Sequence, residues 1–256
     1  MLRQLLYGAL DFKAQMEELD RQEEALVSKL KDKNSVYDID DYYYGNKDLL
    51  IDFQTDVKIP SNIEEAWLMT HDEYVIYLFN KYGHPTCDYF RKGDKYKTKN
   101  MAVERLNEGL FLHHLAEECR ITFNSLIDKE YAKKRNHNLY TAKNFIYCNY
   151  IEHLLLHIKI AIDDFNEPQG SGIDINGAKK IWRELNKYYT NQKVLLQNKK
   201  AAELIKDSYD EYIYIMKQVL HLIRSNTPLA QYCTEDELIT DDIGMVCQGI
   251  RADLEI

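Results

Sequence analysis

Residues 109–115 read Gly109-Leu110-Phe111-Leu112-His113-His114-Leu115, and residues 144–157 read Asn144-Phe145-Ile146-Tyr147-Cys148-Asn149-Tyr150-Ile151-Glu152-His153-Leu154-Leu155-Leu156-His157. In the first stretch apolar residues run into a histidine pair, the pattern of a short strand that delivers His113 and His114 at its end. Successive strand side chains point to opposite faces. The second stretch opens with an aromatic and β-branched run, which predicts another strand. Asn149 is then available to cap a helix over residues 150–164, where no Gly or Pro interrupts. His153 and His157 stand four apart on it, so both imidazoles project from one face about one turn apart. That spacing suits two ligands of one metal ion.

Two strands and a helix carrying His-His, then Asn, then His-x-x-x-His, resemble the HNH family of ββα-metal nucleases. The similarity is greatest in the second half, where Asn144, eight residues, His153, three residues and His157 resemble the Asn and helix histidines of colicin-type nuclease domains. The resemblance covers residues 109–160 only. The His114-to-Asn144 gap is longer than in compact members, which implies an inserted loop holding Lys133, Lys134 and Arg135. The resemblance implies a small ββα-metal nuclease module; the flanks, which it does not assign, have helical patterns, so the expected fold is α+β, mostly helical, with the module embedded between helical N- and C-terminal regions. It implies that His113, His153 and His157 hold one divalent metal ion and that His114 is the general base. Asn144 would hold the loop and orient His114. The expected activity is endonucleolytic hydrolysis of phosphodiesters, DNA being the favoured substrate, with 5′-phosphate and 3′-hydroxyl products. Defence against foreign DNA or mobile-element biology is the implied setting.

The chemistry asks independently for such a set. Imidazole, with an unperturbed pKa near 6.5, is suited to take a proton from water near neutral pH. Three histidine ligands leave coordination positions open, and such ligands accept Mg2+, Mn2+, Ni2+ or Zn2+. Other residues stand close by in sequence. Asn138 is an alternative to Asn144, Glu117 and Glu118 follow the His pair, Glu152 precedes a ligand, and His137 neighbours the basic trio. Histidines on an apolar helix are also compatible with a purely structural zinc site. The alternative function is therefore a non-catalytic, metal-stabilised protein-interaction module.

Outward from this centre, the chain divides into three expected regions: an amphipathic helix and acidic connector (1–60), the nuclease-like region (61–165) and a C-terminal helical region (177–256). Leu2, Leu5, Ala9, Phe12, Met16, Leu19, Leu26 and Leu30 recur at helical steps. Residues 34–60 have a turn-forming composition. Ser61 is expected to cap a helix beginning at Asn62, and a second helix is expected over 73–82, ended by Gly83 and Pro85. The segment 88–100 reads as a loop or hairpin. Residues 166–177 read as a flexible connection, followed by helices over 178–189 and about 200–225, and the last thirty residues are acidic. The aromatic stripe of Trp182, Tyr188 and Tyr189 is expected mainly to pack in a core.

Net charge is −9 over 256 residues, which argues against coating nucleic acid by charge alone. Yet residues 81–135 hold 12 Lys/Arg against 8 Asp/Glu, while residues 1–60 hold 8 against 13 and residues 221–256 hold 2 against 7. A basic centre sits between acidic ends. Arg91, Lys92, Lys95, Lys97, Lys99, Arg105, Lys133, Lys134 and Arg135 are the candidate phosphate contacts. A homodimer or protein partner is expected through the N-terminal helix or the acidic C-terminus. Five cysteines without a C-x-x-C pair read as reduced thiols, and no stretch is apolar enough for a membrane crossing. The expected location is cytoplasmic.

Overall fold

Short polar residues place the helix starts. Asn62 Oδ1 accepts the Glu65 amide at 2.9 Å, so the cap falls one residue beyond the expected Ser61, whose own amide donates to Glu65 Oε2. Helix α1 is Ile63–Leu68. Thr70 and Glu73 form a reciprocal capping box for α2, His71–Tyr82, which starts two residues before the expected helix and ends at Gly83. Gly83 has φ +75°, a conformation that costs glycine little.

The computed structural model describes residues 56–91, 98–115, 140–166, 175–190, 199–225, 227–241 and 244–256, all within one compact unit, Leu49–Ile256. The expected N-terminal amphipathic helix and most of the acidic connector lie outside these residues. No helix among them is long and apolar enough to cross a membrane.

The two predicted strands form. Strand β1, Phe111–His114, pairs antiparallel with β2, Phe145–Cys148, placing His113 opposite Ile146 and His114 opposite Phe145. Helix α3, Tyr150–Asn166, follows at once. Asn149 Oδ1 accepts the Ile151 and Glu152 amides, each at 2.9 Å, and Glu152 Oε2 accepts the Asn149 amide in return. This reciprocal cap begins α3 within two residues of the sheet. Ile151, Leu154, Leu155, Leu156, Ile158, Ile160 and Ala161 are all buried, so α3 is apolar around most of its circumference, as a central helix must be. Each such large aliphatic side chain contributes about 1.5–3 kcal/mol on burial.

Helix α4, Ile175–Tyr189, packs along α3. It begins three residues earlier than expected, so Gly177 is helical rather than part of a connection. The expected helix over 200–225 is two helices, α5, Lys199–Ile205, and α6, Tyr209–Arg224. The interruption lets each half bury its own face: α5 meets the turn at Leu106–Glu108, while α6 packs against α1 and α8, Gln248–Leu254. Between α6 and α8 lies α7, Glu235–Leu238.

One hydrophobic core runs from Ala66 to Leu254 and includes Leu229, Cys233, Leu238, Ile250 and Leu254. The acidic last segment therefore supplies core residues to the body of the protein. The aromatic stripe packs on the core: Trp182 is fully buried with Nε1 donating to the Glu237 carbonyl, and the partly buried Tyr188 and Tyr189 donate from their hydroxyls to the Ala202 and Ile205 carbonyls. Among the described residues the architecture is mostly helical with one small two-stranded antiparallel sheet, hence α+β. A second cluster, Phe90, Tyr140 and Phe145 with Tyr89 and Leu112 against it, is formed beside the sheet.

Candidate metal centre

Strand alternation separates the two adjacent histidines. The His113 ring meets those of His153 and His157 edge-on, with centroids 5.3 and 5.1 Å away. His114 instead lies edge-on to Phe145 at 4.5 Å and 6.0 Å from Tyr140, in the aromatic cluster. His113 and His114 are both buried, at 1% and 4% exposure.

The helical repeat does the rest. His153 and His157, one turn apart on α3, have ring centroids 4.8 Å apart and Nε2 atoms 3.2 Å apart. One donor nitrogen from each of His113, His153 and His157 lies within 4.8 Å of the others. Two nitrogens bound to one zinc ion at about 2.0–2.1 Å, at a tetrahedral angle, stand roughly 3.3 Å apart. The His153–His157 spacing matches this value. The donor chemistry fits as well. Burial pushes His113 and His153 well below the ordinary imidazole range, with neighbouring imidazoles adding to it, and burial brings His157 down to about 4. All three are thus neutral near pH 7, the form that ligates a metal.

Gly177 completes the wall. A Cβ there would sit 2.5 Å from Nδ1 and 2.7 Å from Cε1 of His157. Only a residue without a side chain lets the first turn of α4 approach the ring so closely, and this contact backs the Nδ1 edge while Nε2 faces His153. Sequence reasoning passed over this residue, because Gly177 ended a glycine-containing stretch that read as a connection.

His71 was also missed. It is the first residue of α2, is 2% exposed, and lies near enough for its charge to act on both His113 and His157. No local spacing signals a histidine 42 positions before His113; the packing of α2 on β2 and α3 brings it there.

Asn144 ends a short turn, Ala142–Asn144, directly before β2, is buried, and donates from Nδ2 to Thr141 Oγ1 at 3.4 Å. It immediately precedes Phe145, the partner of His114 in the sheet. Glu152 turns to Lys81, Tyr82 and the Asn149 amide, a helix-capping and ion-pair role. His84 Nδ1 donates to the Phe145 carbonyl at 3.2 Å.

The candidate phosphate contacts divide. Arg91 is exposed. Lys99 pairs with Glu104 at 2.7 Å and lies over the Tyr89 ring. Arg105 is engaged internally: Nε and Nη2 donate to the Glu108 carboxylate, Nη1 donates to the Tyr82 carbonyl at 2.8 Å, and the guanidinium covers Tyr147. Lys92, Lys95, Lys97, Lys133, Lys134 and Arg135 lie outside the described residues, as do Glu117, Glu118, His137 and Asn138.

No family model matches the chain, and no curated protein or solved structure matches it either.

Proposed function

We propose that this chain is a metal-dependent endonuclease acting on phosphodiester bonds, with DNA the favoured substrate. The observation that supports it is the convergence of His113 from β1 with His153 and His157 from α3, with a further histidine, His114, next in the strand. His113, His153 and His157 would hold one divalent ion. When bound, that ion stabilises negative charge on the phosphoryl and leaving oxygens. His114 takes the proton from the attacking water, and the turn at Asn144 steadies the strand pairing that orients it. The packing of His114 against Phe145 and Tyr140 restricts its ring, and a restrained base loses less orientational freedom at the moment of reaction. A setting in defence or mobile-element biology follows from the HNH resemblance alone.

A second reading is a structural metal site within an interaction module, and the deep burial of His113 and His114 favours it. His114 separates the two, because hydrolysis needs a further imidazole to take the proton and structural binding does not. Purified protein incubated with supercoiled plasmid and magnesium, manganese, nickel or zinc should nick or linearise it, EDTA should stop the reaction, and His114→Ala should abolish cutting while still binding metal. Equal cutting by both proteins would remove His114 as base. Metal binding by both without cutting of DNA or RNA would favour the structural site.

A further inference from the structure

Residues 86–91 and 98–102 are fastened to the segment before β2 by a continuous set of hydrogen bonds. Phe90 bridges Lys99, Arg91 N donates to the Thr98 carbonyl at 3.1 Å, and Asn100 N donates to Tyr89 O at 2.7 Å. Across the gap, Tyr89 N donates to Tyr140 O and Ala142 N donates to Asp88 Oδ1. Asn100 Nδ2 donates to the Asp88 carbonyl. This frame surrounds a groove of about 610 Å³, lined among others by Asp88, Phe90, Arg91, Asn100, Met101 and Ala142. That volume is within the roughly 300–1,000 Å³ of small-molecule sites.

The groove is linked to His114 through aromatic contacts. Phe90 packs on Tyr140 with centroids 5.0 Å apart, both belong to the cluster containing Phe145, and Phe145 is the ring against which His114 rests. Its lining combines exposed apolar surface at Met101 and an exposed cation at Arg91, while Asp88 Oδ1 and both ends of the Asn100 amide are engaged in the frame itself. A phosphate next to a planar base carries the complementary set.

We infer that this groove receives one unpaired nucleotide of the substrate strand, its base against Met101 and Ala142 and its phosphate on Arg91, so that the protein prefers single-stranded or locally unpaired nucleic acid to continuous duplex. This rests on the nuclease reading. A base within a duplex is stacked on both sides and reaches a groove only after extrusion, whereas an unpaired base enters without that cost. Met101 and Ala142 give the base apolar contact without a hydrogen-bonding edge, so selection is for structure rather than sequence.

The test uses the full chain carrying His114→Ala, loaded with zinc, and fluorescein-labelled oligonucleotides of one sequence as single strand, duplex, and duplex with one unpaired nucleotide. Anisotropy should show the single strand and the interrupted duplex bound about tenfold more tightly than the continuous duplex. Adding Arg91→Ala should weaken binding and reduce the slope of log affinity against log salt by about 0.7–0.9, one phosphate contact. Ala102→Trp, at an exposed position on the groove, should erase the preference for unpaired substrate. Equal or tighter binding of continuous duplex, or unchanged affinity and salt slope in both variants, overturns the inference. Cleavage by the unsubstituted chain is measured in parallel. Metal-dependent cutting without discrimination sinks the groove alone, while neither binding nor cutting sinks the nuclease reading and the groove with it.

Discussion

At Gly177 two rules of residue choice oppose each other. In a helix interior alanine is favoured over glycine by about 1 kcal/mol, yet here a Cβ would stand 2.5 Å from His157 Nδ1. The Gly177→Ala protein should keep its helical circular dichroism while its zinc affinity, read by calorimetry, falls about tenfold, equivalent to 1.4 kcal/mol; undiminished affinity would show that the ring is placed without this contact. The buried histidines carry a pH signature of their own. The folded protein holds His113, His153 and His157 below the unfolded value near 6.5, so the unfolded chain binds more protons as pH falls beneath it. The stability of the metal-free protein is therefore fully present above about pH 6.5 and should decline steadily toward pH 4. Urea midpoints at pH 7.5, 6 and 5 measure this, and a flat series would contradict the burial of the three rings. The Cys233 thiol, pushed up to about 12 by burial, should be slow to alkylate beside the less buried Cys87.

Among the elements, Asn186 shows how α4 is tied to the acidic end of the chain. It is fully buried, its Nδ2 donates to the Leu238 and Thr240 carbonyls at 2.9 and 2.8 Å, and its Oδ1 accepts from the Tyr212 hydroxyl at 2.6 Å. Asn186→Ala would leave these buried partners unsatisfied, and a loss of about 2–4 kcal/mol in chemical denaturation is expected. Metal affinity should hold, because the contacts are at the opposite end of α4 from Gly177. The elements legible in advance were those with a local cause: Gly83 ending α2, Asn149 starting α3, and the aromatic run of β2. The division of the expected 200–225 helix was not, since residues 206–208 contain no Gly or Pro and the break serves two packing partners distant in sequence. Helical periodicity reports one face of one segment and carries no information about which neighbour will cover it.

For the whole molecule, a candidate site assembled from β1 and α3 would tie metal binding to folding. An ion that binds only the folded chain should raise stability by about 2.7 kcal/mol at a concentration one hundred times its Kd; thermal melts with zinc and then chelator should show the rise and its reversal. A chain ending before Pro228 would lose Leu229, Leu238, Ile250 and Leu254 from the core and should fail to give a cooperative melt. By itself the sequence determined the strand–strand–helix succession, the two-histidine face of α3 and the alternation that parts His113 from His114, because each depends on periods of two or 3.6 residues along the chain. Only the tertiary structure decided that Gly177 backs His157, that His71 joins the histidine surroundings, that Arg105 is engaged with Glu108, and that the acidic last segment completes the core. These depend on segments far apart in sequence, whose meeting is selected by the burial of shared apolar surface rather than by any local pattern.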